Sequence, residues 1–289
     1  VRRILVFVLS SVAMQVACGG GGDSPTSPGP VPQPNSTIVY TAIGASDALA
    51  IGGSVQCFPF DECTNGTGYV QVAVRNLRAR AFTVRLMNLG FPTSTISRRL
   101  QTLGLQYGRD IFGNFMDQEI PFVPADSTFI TIFTGANDVN VITSALGGGA
   151  GGADRTAYID SQITAFGQDF ANLLQAVRQR APSARIAVLN LPNMAGMPFL
   201  ASAPRDHRLA AQALSVGFTR TVFNPQASSG LLVIDLMCDA RSYQQGTYSG
   251  DGFHPSDTGY AWIAADVVAA ATTSYRPPAG SCGQMSLVQ

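Results

Sequence analysis

The run Thr37-Ile-Val-Tyr-Thr-Ala-Ile43, followed at once by Gly44-Ala45-Ser46-Asp47, decides how the rest of the chain is read. Its β-branched and aromatic residues predict a strand, and the glycine closes it, leaving a serine just beyond the carboxyl end. Four more short apolar runs follow, at 83–88, 127–134, 185–191 and 231–236, bounded by Gly, Pro or Asn. Longer stretches between and after them, at 69–81, 95–103, 158–180, 206–223 and 257–273, read as helices. In the third of these, Ile163, Phe166, Phe170, Leu173, Leu174 and Val177 recur at spacings of three and four, which lays one apolar stripe along a helix. Pro182 ends it. Strands alternating with helices are the mark of β-α-β units and predict an α/β chain with a five-stranded, mostly parallel sheet. Gly148-Gly-Ala-Gly-Gly152 reads as a flexible loop and not a phosphate cradle, having no strand directly before it and no lysine after it.

With 289 residues the chain has room for one large domain and a tail. Its 18 basic residues balance 18 acidic ones and only 12% of the chain is charged, so it carries no electrostatic footprint for nucleic acid. All the basic residues are arginine. Without lysine, a Walker-type phosphate site, a pyridoxal Schiff base and a lysine nucleophile are excluded. Two histidines, His207 and His254, and five scattered cysteines form no visible metal cluster, and neither a metal nor an organic cofactor is implied.

Residues 1–17 read as a secretory signal: Arg2 and Arg3 open it, and an apolar stretch over 4–16 is too short to span a bilayer. Cys18 follows, and 18–36 is a Gly, Ser and Pro run expected to stay extended as a tether. A signal ending in a small residue and then Cys resembles that of a bacterial lipoprotein, in which the Cys becomes the lipidated N-terminus. Gln15 stands where such signals usually carry Leu, so cleavage near Ala17 to a secreted product stays open as the alternative. Cys57, Cys63, Cys238 and Cys282 are even in number, which in an exported chain favours two disulfides. Of the three pairings, proximity in sequence favours Cys57 with Cys63 and Cys238 with Cys282. Residues 37–289 are expected to form the globular domain.

Open parallel sheets bind ligands beyond the carboxyl ends of their strands, so the segments at 44–47, 88–93, 135–138 and 251–255 are the candidates. A serine hydroxyl becomes a nucleophile only with a base in reach, itself oriented by a carboxylate. His254 lies three residues after Asp251, and Gly252 and Pro255 suit a turn that aims the carboxylate at the ring. His207, at a helix start, is expected to be solvated or capping. Asp138 is expected to turn its loop, Asp257 to cap the final helix, and Tyr260 and Trp262 to pack.

Gly44-x-Ser46, Gly135-x-Asn137-Asp138 and Asp251-x-x-His254-Pro255, in that order, resemble blocks of the SGNH hydrolase (GDSL esterase/lipase) family across about residues 38–273. The resemblance implies a three-layer, flavodoxin-like α/β/α sandwich with Ser46 as nucleophile, His254 as general base and Asp251 as its partner. The oxyanion would be held by the Asn137 amide and by backbone N–H groups of Ser46 and of the second block. Two positions depart from the pattern. Ala45 replaces the family's Asp, and Thr93 stands where the second-block Gly falls, with Gly90 as the alternative donor. Thr93 serves if its turn has no positive φ requirement. The implied activity is hydrolysis of a small-molecule or lipid ester through an acyl-enzyme, with membrane contact only through a lipidated Cys18. A base of this kind must be neutral, so activity is expected to fall below about pH 6 to 7. The rival reading is a non-catalytic surface protein that binds glycans or lipids at a decayed site. Segments 55–68 and 193–204, rich in Phe, Met and Pro, are expected to line the acyl and alcohol pockets.

Overall fold

The computed structural model describes residues 28–273 and 275–289; the signal at 1–17, Cys18 and the tether as far as residue 27 lie outside the described residues. Five strands, β1 (Thr37–Gly44), β2 (Thr83–Asn88), β3 (Phe129–Phe133), β4 (Arg185–Leu189) and β5 (Leu232–Ile234), form one sheet ordered β2-β1-β3-β4-β5. Every pair is parallel, with Gly44 opposite Phe133 and Leu189 opposite Ile234. The strands sit where the apolar runs place them, shortened by two or three residues at 127–134, 185–191 and 231–236. β3 and β4 are buried along their whole length, as strands covered on both faces must be.

The helices are α1 (Tyr69–Ala79), α2 (Arg98–Gln106), α3 (Phe115–Gln118), α4 (Ala136–Gly147), α5 (Arg155–Arg180), α6 (Arg205–Gly217) and α7 (Asp257–Thr272). α1 packs on α7 over one face of the sheet, while α2, α4, α5 and α6 contact one another over the other, giving the three-layer α/β/α sandwich. The stripe on α5 is buried through Phe166, Phe170, Leu173 and Val177. Phe218 stacks on Phe166 with ring centroids 3.8 Å apart, and Phe223 meets both Phe166 and Phe170 edge-on. That ring cluster coincides with a wider, π-helical turn over Phe218–Phe223, so the helix expected across 206–223 stops at Gly217.

α4 departs from the loop expected at 135–138. Nearly every residue of this helix from Asp138 to Leu146 is buried, so it shows no polar face and no amphipathic period, and its Val, Ile, Thr, Asn and Asp are weak helix formers. Asp138 therefore sits in a first helical turn and does not turn a loop. At α7 the cap is Ser256, whose hydroxyl accepts the Gly259 N–H, and not Asp257. Asp257 instead accepts from the Ser54 amide and hydroxyl, at 2.8 and 2.6 Å.

Cys57 is bonded to Cys63 and Cys238 to Cys282, the pairing that proximity favours and one suited to an oxidising compartment. Arg185, buried at the start of β4, donates to the carbonyls of Gly29, Ala270 and Thr273 at 2.8, 2.8 and 2.6 Å. The N-terminal arm and the end of α7 are thus held at the amino edge of the sheet. The C-terminal tail reaches the other edge, where Gln212 and Arg205 on α6 donate to Val288 O and Gln289 O. No helix among the described residues is long and apolar enough to cross a membrane.

Candidate active site

β1 ends at Gly44 and the chain turns directly into a short 3-10 segment, Ser46–Leu49, which sets Ser46 at the carboxyl edge of the sheet. His254 comes to it from the loop ahead of α7. Its Nε2 lies 2.8 Å from Ser46 Oγ and its Nδ1 lies 2.6 Å from Asp251 Oδ2. Asp251 shapes that loop with its second oxygen: Oδ1 accepts from the Phe253 and His254 amides at 2.8 and 2.9 Å and from Ser249 Oγ at 2.8 Å. Burial alone would raise this carboxyl. The His254 ring, the two amides and the Ser249 hydroxyl outweigh it and hold the pKa at about 2. With Asp251 ionised, Nδ1 carries the ring proton and Nε2 offers its lone pair to the serine hydroxyl, an assignment made from the hydrogen-bond network.

The histidine loop is braced from the segment after β4. Gly252, at φ 70°, lets Phe199 approach so closely that a Cβ would lie 2.6 Å from its amide nitrogen, and that amide donates to Gly252 O at 3.1 Å. Phe253 stands edge-on to both Phe199 and the His254 ring.

The second block lies against the serine turn. Gly90 is there for close approach: a Cβ would come within 2.7 Å of Ala48 Cβ. Its amide is already bound to Asn88 Oδ1 at 3.2 Å, and Asn88 Nδ2 donates to Ala48 O at 2.8 Å. Asn88, the last residue of β2 and the first of the candidate segment 88–93, is therefore a brace for the serine turn. Thr93 has φ 59°, so the turn does take a positive φ, against the condition set for it, and the threonine adopts that conformation all the same. A β-branched residue in this left-handed region costs about 1–3 kcal/mol, and a hydrogen bond from the Phe112 amide to Thr93 Oγ1, at 2.9 Å, helps to hold it there. No protein group among the described residues takes the Thr93 or Ser46 amide.

Asn137 and Asp138 link α4 to the same block. Asn137 Nδ2 donates to Ser94 O at 2.9 Å, which leaves a second amide hydrogen for the cleft, and Asp138 Oδ1 accepts the Ile96 amide at 2.9 Å. Full burial, only partly offset by that amide, raises the Asp138 carboxyl to about 7. Between about pH 4 and pH 7 the folded chain keeps a proton that the unfolded chain has lost, so this residue makes stability fall as pH rises through that window, by on the order of 4 kcal/mol at most. D138N, which cannot ionise, is expected to flatten that part of the profile, with its melting temperature gaining on the parent's between pH 4.5 and pH 8. Thermal melts across that range check it. Parallel profiles for the two proteins would refute the assignment.

Asp47, next to the serine, borders a mostly apolar cavity of about 30 Å³ with Phe133, Met194, Met197, Phe253 and Trp262. Burial raises its carboxyl, and the nearby His254 lowers it in part. Met194 and Met197 bring segment 193–204 to the wall of this cavity. Segment 55–68 does not. Its Cys57 amide donates to Leu49 O and its Phe60 amide to Asn88 O, and Phe58 and Phe60 stand exposed beyond β2. Tyr260 packs as expected, its hydroxyl donating to Ile51 O at 2.6 Å, whereas Trp262 lines the cavity with the Arg241 guanidinium 4.6 Å over its ring. His207 is half-buried in the first turn of α6 and is neither the cap nor a partner of Ser46; burial, with Arg109 nearby, lowers its pKa.

The sequence model of the GDSL-like Lipase/Acylhydrolase family matches residues 22–262. Comparison with curated protein sequences finds no match. Among solved structures, the chain is similar to a lipase from a goat rumen metagenome, with 19% identity and a TM-score of 0.58 over 82% of this chain and 98% of that one. It is also similar to an extracellular lipase from Streptomyces rimosus, at 15% identity and a TM-score of 0.49 over 81% of this chain and 100% of that one. A phospholipase A1 from Streptomyces albidoflavus follows, at 14% identity and a TM-score of 0.47 over 80% and 97%. At 19% identity the likeness to the rumen lipase is one of fold.

Proposed function

The chain belongs to the GDSL-like lipase/acylhydrolase family and is a hydrolase of ester bonds, and from that premise we propose that it cleaves carboxylic esters through an acyl-enzyme on Ser46. The observation that carries this reading is the run of two short hydrogen bonds, 2.8 Å from Ser46 Oγ to His254 Nε2 and 2.6 Å from His254 Nδ1 to Asp251 Oδ2. As Oγ attacks the ester carbonyl, its proton passes to Nε2, and the Asp251 carboxylate stabilises the imidazolium that forms. The negative charge on the former carbonyl oxygen is met by the Ser46 and Thr93 amides and by Asn137 Nδ2. Thr93 is preferred over Gly90 because the Gly90 amide is engaged by Asn88. Collapse of the tetrahedral species breaks the ester C–O bond and returns the proton from Nε2 to the departing alcohol. Water then repeats the sequence on the acyl-enzyme, freeing the acid.

The cavity beside Asp47 is lined by Met194, Met197 and Phe133; at about 30 Å³ this apolar space has room for no more than a very short acyl group of an ester substrate. Export is supported by the signal-like start and the two disulfides. We assign 1–17 as the signal, 18–36 as a linker anchored to the envelope through a lipidated Cys18, and 37–289 as the hydrolase domain. A fluorophosphonate probe tests the catalytic reading directly: covalent label is expected on the peptide bearing Ser46, and abolished in H254A. A chain that stays unlabelled at saturating probe is the non-catalytic binder instead.

A further inference from the structure

A carboxyl group that the hydrolytic steps do not use is buried beneath the serine turn. Glu119 follows α3 and is wholly shielded from solvent. Its Oε2 accepts the Gly44 amide at 2.9 Å, and its Oε1 has no hydrogen-bond partner among the described residues. Gly44 is the last residue of β1, two positions before Ser46. Its carbonyl accepts the Phe91 amide from the second block, while its N–H points to Glu119. Ala45, which separates Gly44 from the serine, has no polar side-chain atom with which to anchor the turn. The acid reaches across 75 positions of sequence to supply that anchor.

Glu119 is itself rigidly placed. Its amide donates to Phe115 O and its carbonyl accepts from Phe122 N, and the segment that follows is tied to the end of α5 by Arg180, which donates to Pro121 O and Val123 O. The Tyr69 hydroxyl lies on the same side, 3.6 Å from where a Cβ on Gly44 would stand, and it too is buried without a hydrogen-bond partner among the described residues. Burying a carboxyl with one oxygen unsatisfied is unfavourable by kilocalories, so packing alone is a poor reason for it.

Resting on the reading of Ser46 as nucleophile, we infer that Glu119 is a positioning residue, whose side-chain Oε2 clamps the Gly44 amide and so fixes where the strand releases the serine toward His254. Burial drives this carboxyl up from its ordinary range, with the Gly44 amide opposing the rise, and Oε2 can accept the Gly44 N–H whether or not the group is ionised. The clamp needs an acceptor at that reach and no charge.

Two variants separate this role from bulk packing. E119M keeps the volume and removes the acceptor; E119Q keeps the acceptor oxygen. With a short-chain aryl ester, E119M is expected to lose about 10- to 100-fold in kcat with KM within about twofold, as a displaced nucleophile should. E119Q is expected to restore kcat to within about threefold of the parent. The inference is overturned by a folded E119M at the parent kcat, or by an E119Q that falls as far as E119M. Should E119M fail to fold, E119D replaces it: its acid is one methylene short of Gly44, so its kcat should lie below that of E119Q, and the reverse order overturns the inference. S46A is the control. Activity in S46A would mean that the nucleophile reading has failed, whereas an inactive S46A beside a fully active E119M would remove the positioning role alone.

Discussion

S46A is expected to lower turnover of a short-chain aryl ester by about 10⁶-fold while leaving the fold in place. The hydroxyl makes one side-chain hydrogen bond, to His254 Nε2, and loses nothing else when it is removed. The turn that carries it is held by other groups: Asn88 Nδ2 on Ala48 O, the Ile51 amide on Ser46 O and the buried side chains of Ala48 and Leu49. Thermal melting should therefore stay within a few degrees of the parent. What remains, about 10³-fold over water, is the share of the amides and Asn137 acting on a water nucleophile. Because serine and histidine act as a unit, S46A/H254A should be no slower than S46A alone. Steady-state rates on purified proteins decide the matter, and hydrolysis by S46A at the parent rate would end the assignment of nucleophile.

D251N comes next in size, with an expected fall in kcat on the order of 10³- to 10⁴-fold. The substitution preserves the loop. An amide oxygen at Oδ1 still accepts from Phe253, His254 and Ser249, so the turn that carries the imidazole remains closed. It changes the other side. In place of Oδ2, an NH₂ group faces His254 Nδ1 across a gap now spanned at 2.6 Å, and a donor there selects the tautomer with its proton on Nε2. Such a ring cannot accept the serine proton. The loss should therefore appear in kcat with the melting temperature near that of the parent, whereas D251A, which also drops three loop contacts, should lose stability as well. Equal melting temperatures for the two variants would show that Oδ1 does not hold the loop.

The order of elements was legible because each parallel strand, covered on both faces, announces itself as an unbroken apolar run, and α5 announces itself by a one-sided stripe. α4 was not. A helix buried all round repeats no polar residue, and Asn137 and Asp138 at its start look like loop formers when taken alone. The candidate site was legible as far as residue type and order go, since Ser46, Asn137, Asp251 and His254 all lie just beyond strands or in the last loop. Backbone and distant partners were not. Nothing in the letters Pro92-Thr93-Ser94 reveals that Thr93 adopts φ 59°, because the hydrogen bond that stabilises it comes from Phe112, nineteen positions on. Glu119 is equally silent: a single acid in an irregular stretch reads as surface until the fold brings Gly44 to it.

Arg185 fastens the start of the described chain to the amino edge of the sheet, whereas Ser46 opens at the carboxyl edge. The first described residues and the catalytic serine thus lie at opposite ends of the strands, so the anchor that Arg185 gives Gly29 makes no contact with the cleft. Gln289 is held instead by Arg205 at the start of α6, so the two described ends of the chain are fastened to opposite edges of the sheet and a tag at either one strains a different anchor.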